Sequence, residues 1–184
     1  MNVTGEAAQR VLASSECIHD RAAVEAALDR MGDEINAALS DTELNVLCVL
    51  TGGLVTLGQL LPRLRSPLQL DFVHATRYRG QTTGGAIHWL VEPRGDLQDR
   101  DLLLVDDILD EGHTLAAIQA YCRGNGARSV HTAVLVEKLH DRKHPEAHAD
   151  FVGLTVDDRY VFGYGMDYND YLRNAPGIYA LPDT

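Results

Sequence analysis

The sequence of 184 residues predicts an α/β fold, in which a mainly parallel twisted sheet is flanked by helices. Strand-like and helix-like segments alternate through the middle of the chain, which is typical of this class. The strand-like run at residues 102–105 is entirely apolar and the run at 130–136 is mostly apolar, as expected for strands buried on both faces of a parallel sheet. The length is sufficient for one substantial core, and no linker divides the chain, so we expect a single domain.

Hydrophobic spacing and turn residues predict each element in chain order. The segments are a helix at 20–39, a strand at 45–50, a helix at 54–64, a strand at 68–75, a loop at 76–85, a strand at 86–91, a strand at 102–105, a helix at 114–123 and a strand at 130–136. The first helix follows from apolar residues that recur at helical spacing between Ala22 and Ala38. Gly124 and Gly126 are placed to end the last helix.

Composition excludes several classes of protein. The formal net charge is −11, with 27 acidic against 16 basic side chains, which disfavours a surface for nucleic acid. No apolar stretch approaches the ~20 residues that span a bilayer, and the N-terminus lacks the pattern of a signal peptide, so we expect a cytoplasmic location. The three cysteines are widely spaced and indicate neither a zinc site nor a disulfide framework.

Residues 102–115 contain the clearest candidate binding site in the sequence. An apolar strand leads into Asp106 and Asp107, Asp110 follows three positions later, and Gly112-His113-Thr114 opens a helix. Adjacent carboxylates can bind vicinal ribose hydroxyls directly or through a divalent metal, and a glycine turn before a helix can point amides at a phosphate. One aspartate would be explained by helix capping, but three acids at the end of a buried strand predict a binding site for a sugar phosphate.

This segment resembles the phosphoribosyl pyrophosphate (PRPP) motif of the type I phosphoribosyltransferases. Two further segments resemble the hypoxanthine-guanine phosphoribosyltransferases: Leu50-Thr51-Gly52-Gly53, and the pair 150–153 and 160–173 with Lys138 upstream. The resemblance implies one domain over residues 1–184, with a core at about 40–160 and a small hood from both terminal segments. It implies purine salvage, in which guanine and/or hypoxanthine and PRPP give GMP or IMP and pyrophosphate, with Mg²⁺ as cofactor and a homodimer or homotetramer as the assembly.

The resemblance also implies roles for individual residues. Asp106 and Asp107 hold the ribose hydroxyls, and Asp110 lies beside N7 of the purine as general base. The remaining assignments are Asp110, Glu111, Gly112, His113 and Thr114 for the 5′-phosphate loop; Leu50, Thr51, Gly52 and Arg173 for pyrophosphate; Lys138, Tyr160, Val161 and Asp167 for the purine; Asp106, Asp107 and Asp167 for the metal; and Arg77 and Tyr78 for a mobile loop at residues 77–85. Lys138 would donate to O6 of the base, Tyr160 would stack on it, and the peptide Leu50–Thr51 would be cis.

The sequence departs from the family pattern at a few positions. Glu111 stands where threonine is usual, and we expect it to point outward or to pair with a cation such as His113. Thr51 replaces a lysine of some members, and Arg77 replaces the serine that often precedes Tyr78. The histidines show no convincing metal-binding arrangement, and we expect His140, together with His144 and His148, to be solvated.

Other functions remain open at this point. One is a PRPP-sensing regulator of the same fold without catalysis, although Asp110, Lys138 and Asp167 favour an enzyme. Another is transfer to xanthine, adenine or a pyrimidine; the cationic donor Lys138 disfavours adenine. A different nucleotide-binding α/β protein is disfavoured because the chain lacks both GxGxxG and GxxxxGK(S/T).

Overall fold

The structure, a computed structural model, describes residues 3–77 and 87–182. The helices are α1 (Gly5–Ser14), α2 (Arg21–Ala38), α3 (Gly53–Leu60) and α4 (His113–Gly124), and a single 3-10 turn covers Leu61–Arg63. The strands are β1 (Glu16–His19), β2 (Leu44–Leu50), β3 (Leu68–Arg77), β4 (Ile87–Val91), β5 (Asp101–Leu109), β6 (Ser129–Leu139), β7 (Phe151–Asp157), β8 (Val161–Phe162) and β9 (Ile178–Ala180).

Within the described residues, six strands form the main sheet in the order β4-β3-β2-β5-β6-β7. All neighbouring pairs run parallel except β3 and β4, so the predicted mainly parallel α/β sheet is confirmed. Parallel strands end at the same edge of a sheet, and β2, β5 and β6 are direct neighbours. The segments that follow these three strands therefore meet at one edge of the sheet.

The apolar run of β5 is buried because both of its faces are covered. Leu103 and Val105 pack into one cluster with residues of α2, α3 and β2, whereas Leu102 and Leu104 pack into a second cluster with residues of α4. All four side chains are fully buried. Successive residues of a strand point to opposite faces, so only a continuous apolar run can satisfy both layers.

β5 is longer than the sequence predicts. The expectation that the strand ends at Val105 is wrong, because hydrogen-bonded pairing with β6 continues to Leu109 and includes Asp106 opposite Val134. Asp106 and Asp107 therefore lie within the strand rather than after it, held by the sheet itself. β3 likewise continues to Arg77, and residues 78–86, which contain Tyr78 and most of the predicted mobile loop, lie outside the described residues.

Both ends of the chain contribute to a second sheet, with the antiparallel order β1-β9-β8. Its strands have two to four residues, which is too short for a hydrophobic period to be recognised in the sequence. In contrast, α2 has 18 residues and packs on the main sheet through Met31 and Ile35. Within the described residues, no helix combines the length and the apolar character needed to cross a membrane.

Candidate active site

A cavity of about 530 Å³ opens where β2, β5 and β6 end. Most of the predicted site residues line it: Leu50, Gly52, Asp106, Asp107, Asp110, Glu111, Gly112, His113, Thr114, Lys138, Tyr160, Val161, Asp167 and Arg173. Thr51 is exposed beside it, and Arg77 ends β3. The apolar wall includes Ile108 and Met166, which the sequence analysis did not single out although both lie inside its motifs. A cavity of this size suits a small organic ligand.

Asp106 and Asp107 form a closely coupled pair of acids in the cavity wall. The backbone N–H of Asp107 donates to Oδ1 of Asp106 at 2.9 Å. Burial raises the pKa of both carboxyls, and the negative charge of Asp107 raises the pKa of Asp106 further. The positive charge of Arg173 acts in the opposite direction on both pKa values. The pair therefore favours a ligand that brings hydroxyl donors or positive charge.

Gly52 and Gly53 pack directly on β5. A Cβ atom on Gly52 would lie 2.0 Å from Oδ2 of Asp107, and one on Gly53 would lie 2.4 Å from the carbonyl oxygen of Val105. The peptide between Leu50 and Thr51 is cis, as the resemblance implied. Glycine is therefore required at both positions, because any side chain would displace the loop from the aspartates.

The amino end of α4 faces the cavity. Gly112 caps the helix with φ of +75°, and a Cβ there would lie 2.4 Å from Cβ of Ala147. The first N–H groups of a helix have no partner in the preceding turn and are suited to an anion. Nε2 of His113 lies 3.6 Å from Oε2 of Glu111, so the pairing expected for Glu111 is present when the imidazole is protonated.

Asp110 is held by two side chains from β6 and the turn after it. Nζ of Lys138 lies 2.7 Å from Oδ2, and Nε2 of His140 lies 2.8 Å from Oδ1. Burial raises the pKa of the Asp110 carboxyl, but the hydrogen bonds and positive charge supplied by Lys138 and His140 outweigh it and lower the pKa below 3.8. Asp110 is therefore a carboxylate at neutral pH.

The expectation that His140 is solvated is wrong. Its side chain is only 4 % exposed, because the chain after β6 turns back and the N–H of Arg142 donates to Nδ1 of the ring. His148, in contrast, is exposed as expected. A direct contact between residues 30 positions apart leaves no periodic signal, so the sequence alone could not reveal the contact of His140 with Asp110.

Asp110, His140 and Asp158 bring three ligand atoms within 4.8 Å of one another, which geometrically could hold a metal ion. The negative charges of the two aspartates are already compensated by cationic side chains. Arg142 donates twice to Asp158, at 2.6 and 3.0 Å, and Lys138 is paired with Asp110. Asp106 and Asp107, whose carboxylates are buried side by side next to Arg173, are better suited to hold a divalent cation.

Arg173 and Tyr160 arrange the other side of the cavity. Arg173 donates to the carbonyl of Gly165 at 2.7 Å and pairs with the carboxylate of Asp167 at 2.9 Å. The hydroxyl of Tyr160 donates to the backbone carbonyl of Asp167 at 3.2 Å, and the residue is 48 % exposed. Gly165 must be glycine, with φ of +109°, since a Cβ would lie 2.3 Å from the carbonyl oxygen of Gly52.

The fold and the cavity define an α/β protein with a polar cavity at the carboxyl ends of its parallel strands, lined by adjacent aspartates, a helix amino end and a paired lysine and aspartate. The chain belongs to the family described as phosphoribosyl transferase domain, which it matches over residues 14–170, and within it to the hypoxanthine-guanine phosphoribosyltransferases. It is therefore a pentosyl transferase, and the predicted family and enzyme class are confirmed.

Similar proteins extend over nearly the whole chain. The hypoxanthine-guanine phosphoribosyltransferase of Bacillus subtilis (strain 168) is 31 % identical over 174 residues, covering 94 % of this chain and 93 % of that protein. The protein of the same name from Aquifex aeolicus (strain VF5) is 32 % identical over 155 residues, covering 83 % and 86 %. A crystal structure of a hypoxanthine phosphoribosyltransferase from Staphylococcus aureus superimposes with a TM-score of 0.84 at 25 % identity, covering 90 % of each chain.

Proposed function

We propose that this chain transfers the 5-phosphoribosyl group of PRPP to guanine and hypoxanthine, giving GMP or IMP and pyrophosphate in purine salvage. The observation that carries the proposal is the contact of Lys138 with Asp110 in the same cavity as Asp106, Asp107 and the amino end of α4. A cation and a carboxylate side by side match the adjacent O6 and N7 of a 6-oxopurine. Asp106, Asp107 and the amino end of α4 suit a ribose phosphate.

The ribose phosphate is assigned to the β5–α4 segment. Asp106 and Asp107 accept hydrogen bonds from the vicinal hydroxyls, and the 5′-phosphate receives N–H donors from residues 110–114. Glu111 is 47 % exposed at its side chain and lies beside His113, which limits its repulsion of the phosphate. Pyrophosphate is assigned to the loop Leu50-Thr51-Gly52 and to Arg173, which line or flank the same cavity.

The purine is assigned to the space between Lys138 and Tyr160. The Lys138 ammonium has three donors, so it can bind O6 while remaining close to Asp110. Asp110 accepts the proton from N7 as the bond from N9 to the ribosyl carbon forms, and its negative charge favours the electron-poor ribosyl centre. Tyr160 stacks on the base, and backbone groups of Val161 and Asp167 read its N1/C2 edge.

Three aspartates at the cavity suit Mg²⁺. Asp106, Asp107 and Asp167 supply the hard oxygen ligands that this ion prefers, and all three line the cavity. When bound, Mg²⁺ would neutralise the charge that develops on the departing pyrophosphate. The chain's own contribution is the donor set and the charge of Arg173 next to it.

We further propose that the main sheet, about residues 40–160, carries the PRPP site and that the small terminal sheet acts as a hood over it. β8 of the terminal sheet contributes Val161 to the cavity, and the segment that follows contributes Asp167. Assembly as a homodimer or homotetramer is part of the same proposal.

A direct assay tests the function. The purified chain is incubated with PRPP, Mg²⁺ and guanine, hypoxanthine, xanthine or adenine in turn, and purine absorbance reports the nucleotide product. We expect turnover with guanine or hypoxanthine and little with adenine. PRPP binding without product from any base would instead indicate a sensor, and dominant turnover of xanthine would change the proposed substrate.

Asp110→Asn tests the assignment of the base. We expect turnover to fall by roughly 10²–10⁴-fold, the usual contribution of general acid–base catalysis, while PRPP binding and the unfolding temperature stay close to those of the wild type. Asp33→Asn is the matched control, since Asp33 is 77 % exposed at its side chain and pairs only loosely with Arg65. Near-normal turnover of Asp110→Asn would reject Asp110 as the base.

A further inference from the structure

We propose that His140 is a positioning residue for Asp110, whose carboxylate it orients by donating from Nε2 while Lys138 binds the oxygen of the purine. The inference rests on the proposed function, because it assumes that Asp110 accepts a proton from the base. It concerns a residue that lies outside the cavity lining and that acts only through its contact with the aspartate.

The two oxygens of Asp110 are held by different residues. Lys138 is 2.7 Å from Oδ2, and His140 is 2.8 Å from Oδ1. The side chain of His140 is 4 % exposed, whereas that of Asp110 is 41 % exposed. A buried ring behind a partly exposed carboxylate is the arrangement that limits rotation of the carboxylate while leaving it accessible to a ligand.

The hydrogen bonds of the imidazole determine which nitrogen carries the proton. The backbone N–H of Arg142 donates to Nδ1 at 3.1 Å, so Nδ1 acts as an acceptor. In a neutral imidazole the other nitrogen then bears the hydrogen, and here that nitrogen points at Asp110. His140 can therefore donate to the carboxylate without being charged.

The charged groups described around Asp110 come from four segments. Lys138 lies on β6, Arg142 follows in the turn after it, and Asp158 follows β7. Glu111 is the next residue along the chain, and its carboxylate lies beside His113. Arg142 is bound at both terminal nitrogens by Asp158, so its charge is largely compensated.

Binding of a 6-oxopurine divides the donors of Lys138 between O6 and Asp110. The hydrogen bond from His140 is unaffected by this change because its ring does not line the cavity. It keeps Oδ1 fixed, while Oδ2, which has a second lone pair beside the one that faces Lys138, can accept the N7 proton. This is a positioning role, and it predicts an effect on turnover rather than on the binding of PRPP.

The test compares His140→Leu, which removes the donor, with His140→Gln, whose amide N–H can reach the same carboxylate. We expect His140→Leu to lower kcat on the order of tenfold with a KM for PRPP within about twofold of the wild type. The acid limb of kcat/KM should move to higher pH, since loss of a donor raises the pKa of Asp110. His140→Gln should recover most of kcat. His148→Leu, an exposed histidine of the same region, is the matched control.

Two results would overturn the inference. One is a wild-type kcat and pH profile in His140→Leu; the other is equal impairment of the Leu and Gln variants, which would indicate packing alone. Should His140→Leu not fold, His140→Asn, whose amide is too short to reach, replaces it with the same expected loss.

A double variant separates this inference from the proposed function. If His140 acts through Asp110, His140→Leu should change turnover no further in the Asp110→Asn background. An additive loss would contradict the inference while leaving the assignment of Asp110 intact. Near-normal turnover of Asp110→Asn alone would contradict the assignment of the base itself.

Discussion

Nζ of Lys138 lies 2.7 Å from Oδ2 of Asp110, so the residue assigned to the purine oxygen and the residue assigned to its proton form an ion pair with each other. They belong to β6 and to the turn after β5, which are neighbours in the sheet. The lysine lowers the pKa of the carboxyl by hydrogen bonding and by charge. Changing one member of the pair is therefore expected to alter both the recognition of the base and the titration of the acid.

Lys138→Ala removes the donor to O6 and one of the groups that keep Asp110 ionised. We expect kcat/KM for guanine to fall roughly 10- to 150-fold. This corresponds to a loss of about 1.5–3 kcal/mol in transition-state stabilisation, the usual contribution of a hydrogen bond to a charged group. Adenine offers no oxygen at this position, so its kcat/KM should fall less. The ratio of guanine to adenine turnover should therefore drop. The same steady-state assay on both bases measures it.

Lys143→Ala is the control for that experiment, because Lys143 pairs with Glu137 and does not line the cavity. An unchanged ratio of guanine to adenine turnover in Lys138→Ala would show that the purine is not bound against this lysine.

Tyr160→Phe keeps the aromatic ring but removes the hydroxyl that donates to the Asp167 carbonyl at 3.2 Å. That carbonyl is assigned to the C2 side of the base, where guanine carries an amino group and hypoxanthine carries hydrogen. Without the competing phenol, the carbonyl should accept more readily from guanine, and we expect the ratio of guanine to hypoxanthine kcat/KM to rise a few-fold, about the effect of one neutral hydrogen bond. Competition between the two bases in one reaction measures the ratio, and a fall in the ratio would contradict this placement of the base.

Gly52→Ala should disturb the loop before α3. Its new Cβ would lie 2.0 Å from the carboxylate of Asp107, which cannot move freely because it is buried beside Asp106. We expect loss of PRPP binding, measured by calorimetry, and a lower unfolding temperature. Gly58→Ala is the matched control in α3, where a Cβ meets no atom within 4 Å, and it should be neutral or stabilise by up to about 1 kcal/mol. Wild-type PRPP affinity in Gly52→Ala would contradict the assigned role of this loop.

Asp101, at the opposite end of β5, should contribute to the pH dependence of stability. Hydrogen bonds and charge from Arg128, with a further hydrogen bond from Ser129, outweigh burial and lower the pKa of Asp101 from 3.8. Because the folded-state pKa is the lower one, this stabilisation is complete well above pH 3.8 and is lost as the pH falls through the folded-state value.

Asp101→Asn should therefore be less stable than the wild type at pH 7, with a difference that shrinks towards pH 3. Denaturant titrations at several pH values measure the free energy of unfolding. Asp41→Asn, at an exposed position, provides the control. A destabilisation that is independent of pH would show that the ion pair is not its cause.

The sequence by itself determined the class of fold and the place of the acidic motif in it, whereas the other site residues were assigned by resemblance to the family. The apolar run Leu102–Val105 can be buried only between two layers, and the acids and the Gly-x-Thr turn that follow it must then lie at the carboxyl edge of a parallel sheet. These are local properties, so hydrophobic pattern and motif spacing were sufficient to predict them.

Only the tertiary structure decided which of these groups touch. The register that places Leu109 opposite Glu137 brings Lys138 and His140 to Asp110 across 28 and 30 residues, and the β2–α3 turn places Gly52 against Asp107. The same contacts show why His140 is buried, why Gly52 is required and why β5 extends past its acids. Strand register is set jointly by the burial pattern of neighbouring strands and by the connections between them, and these strands are far apart in the sequence.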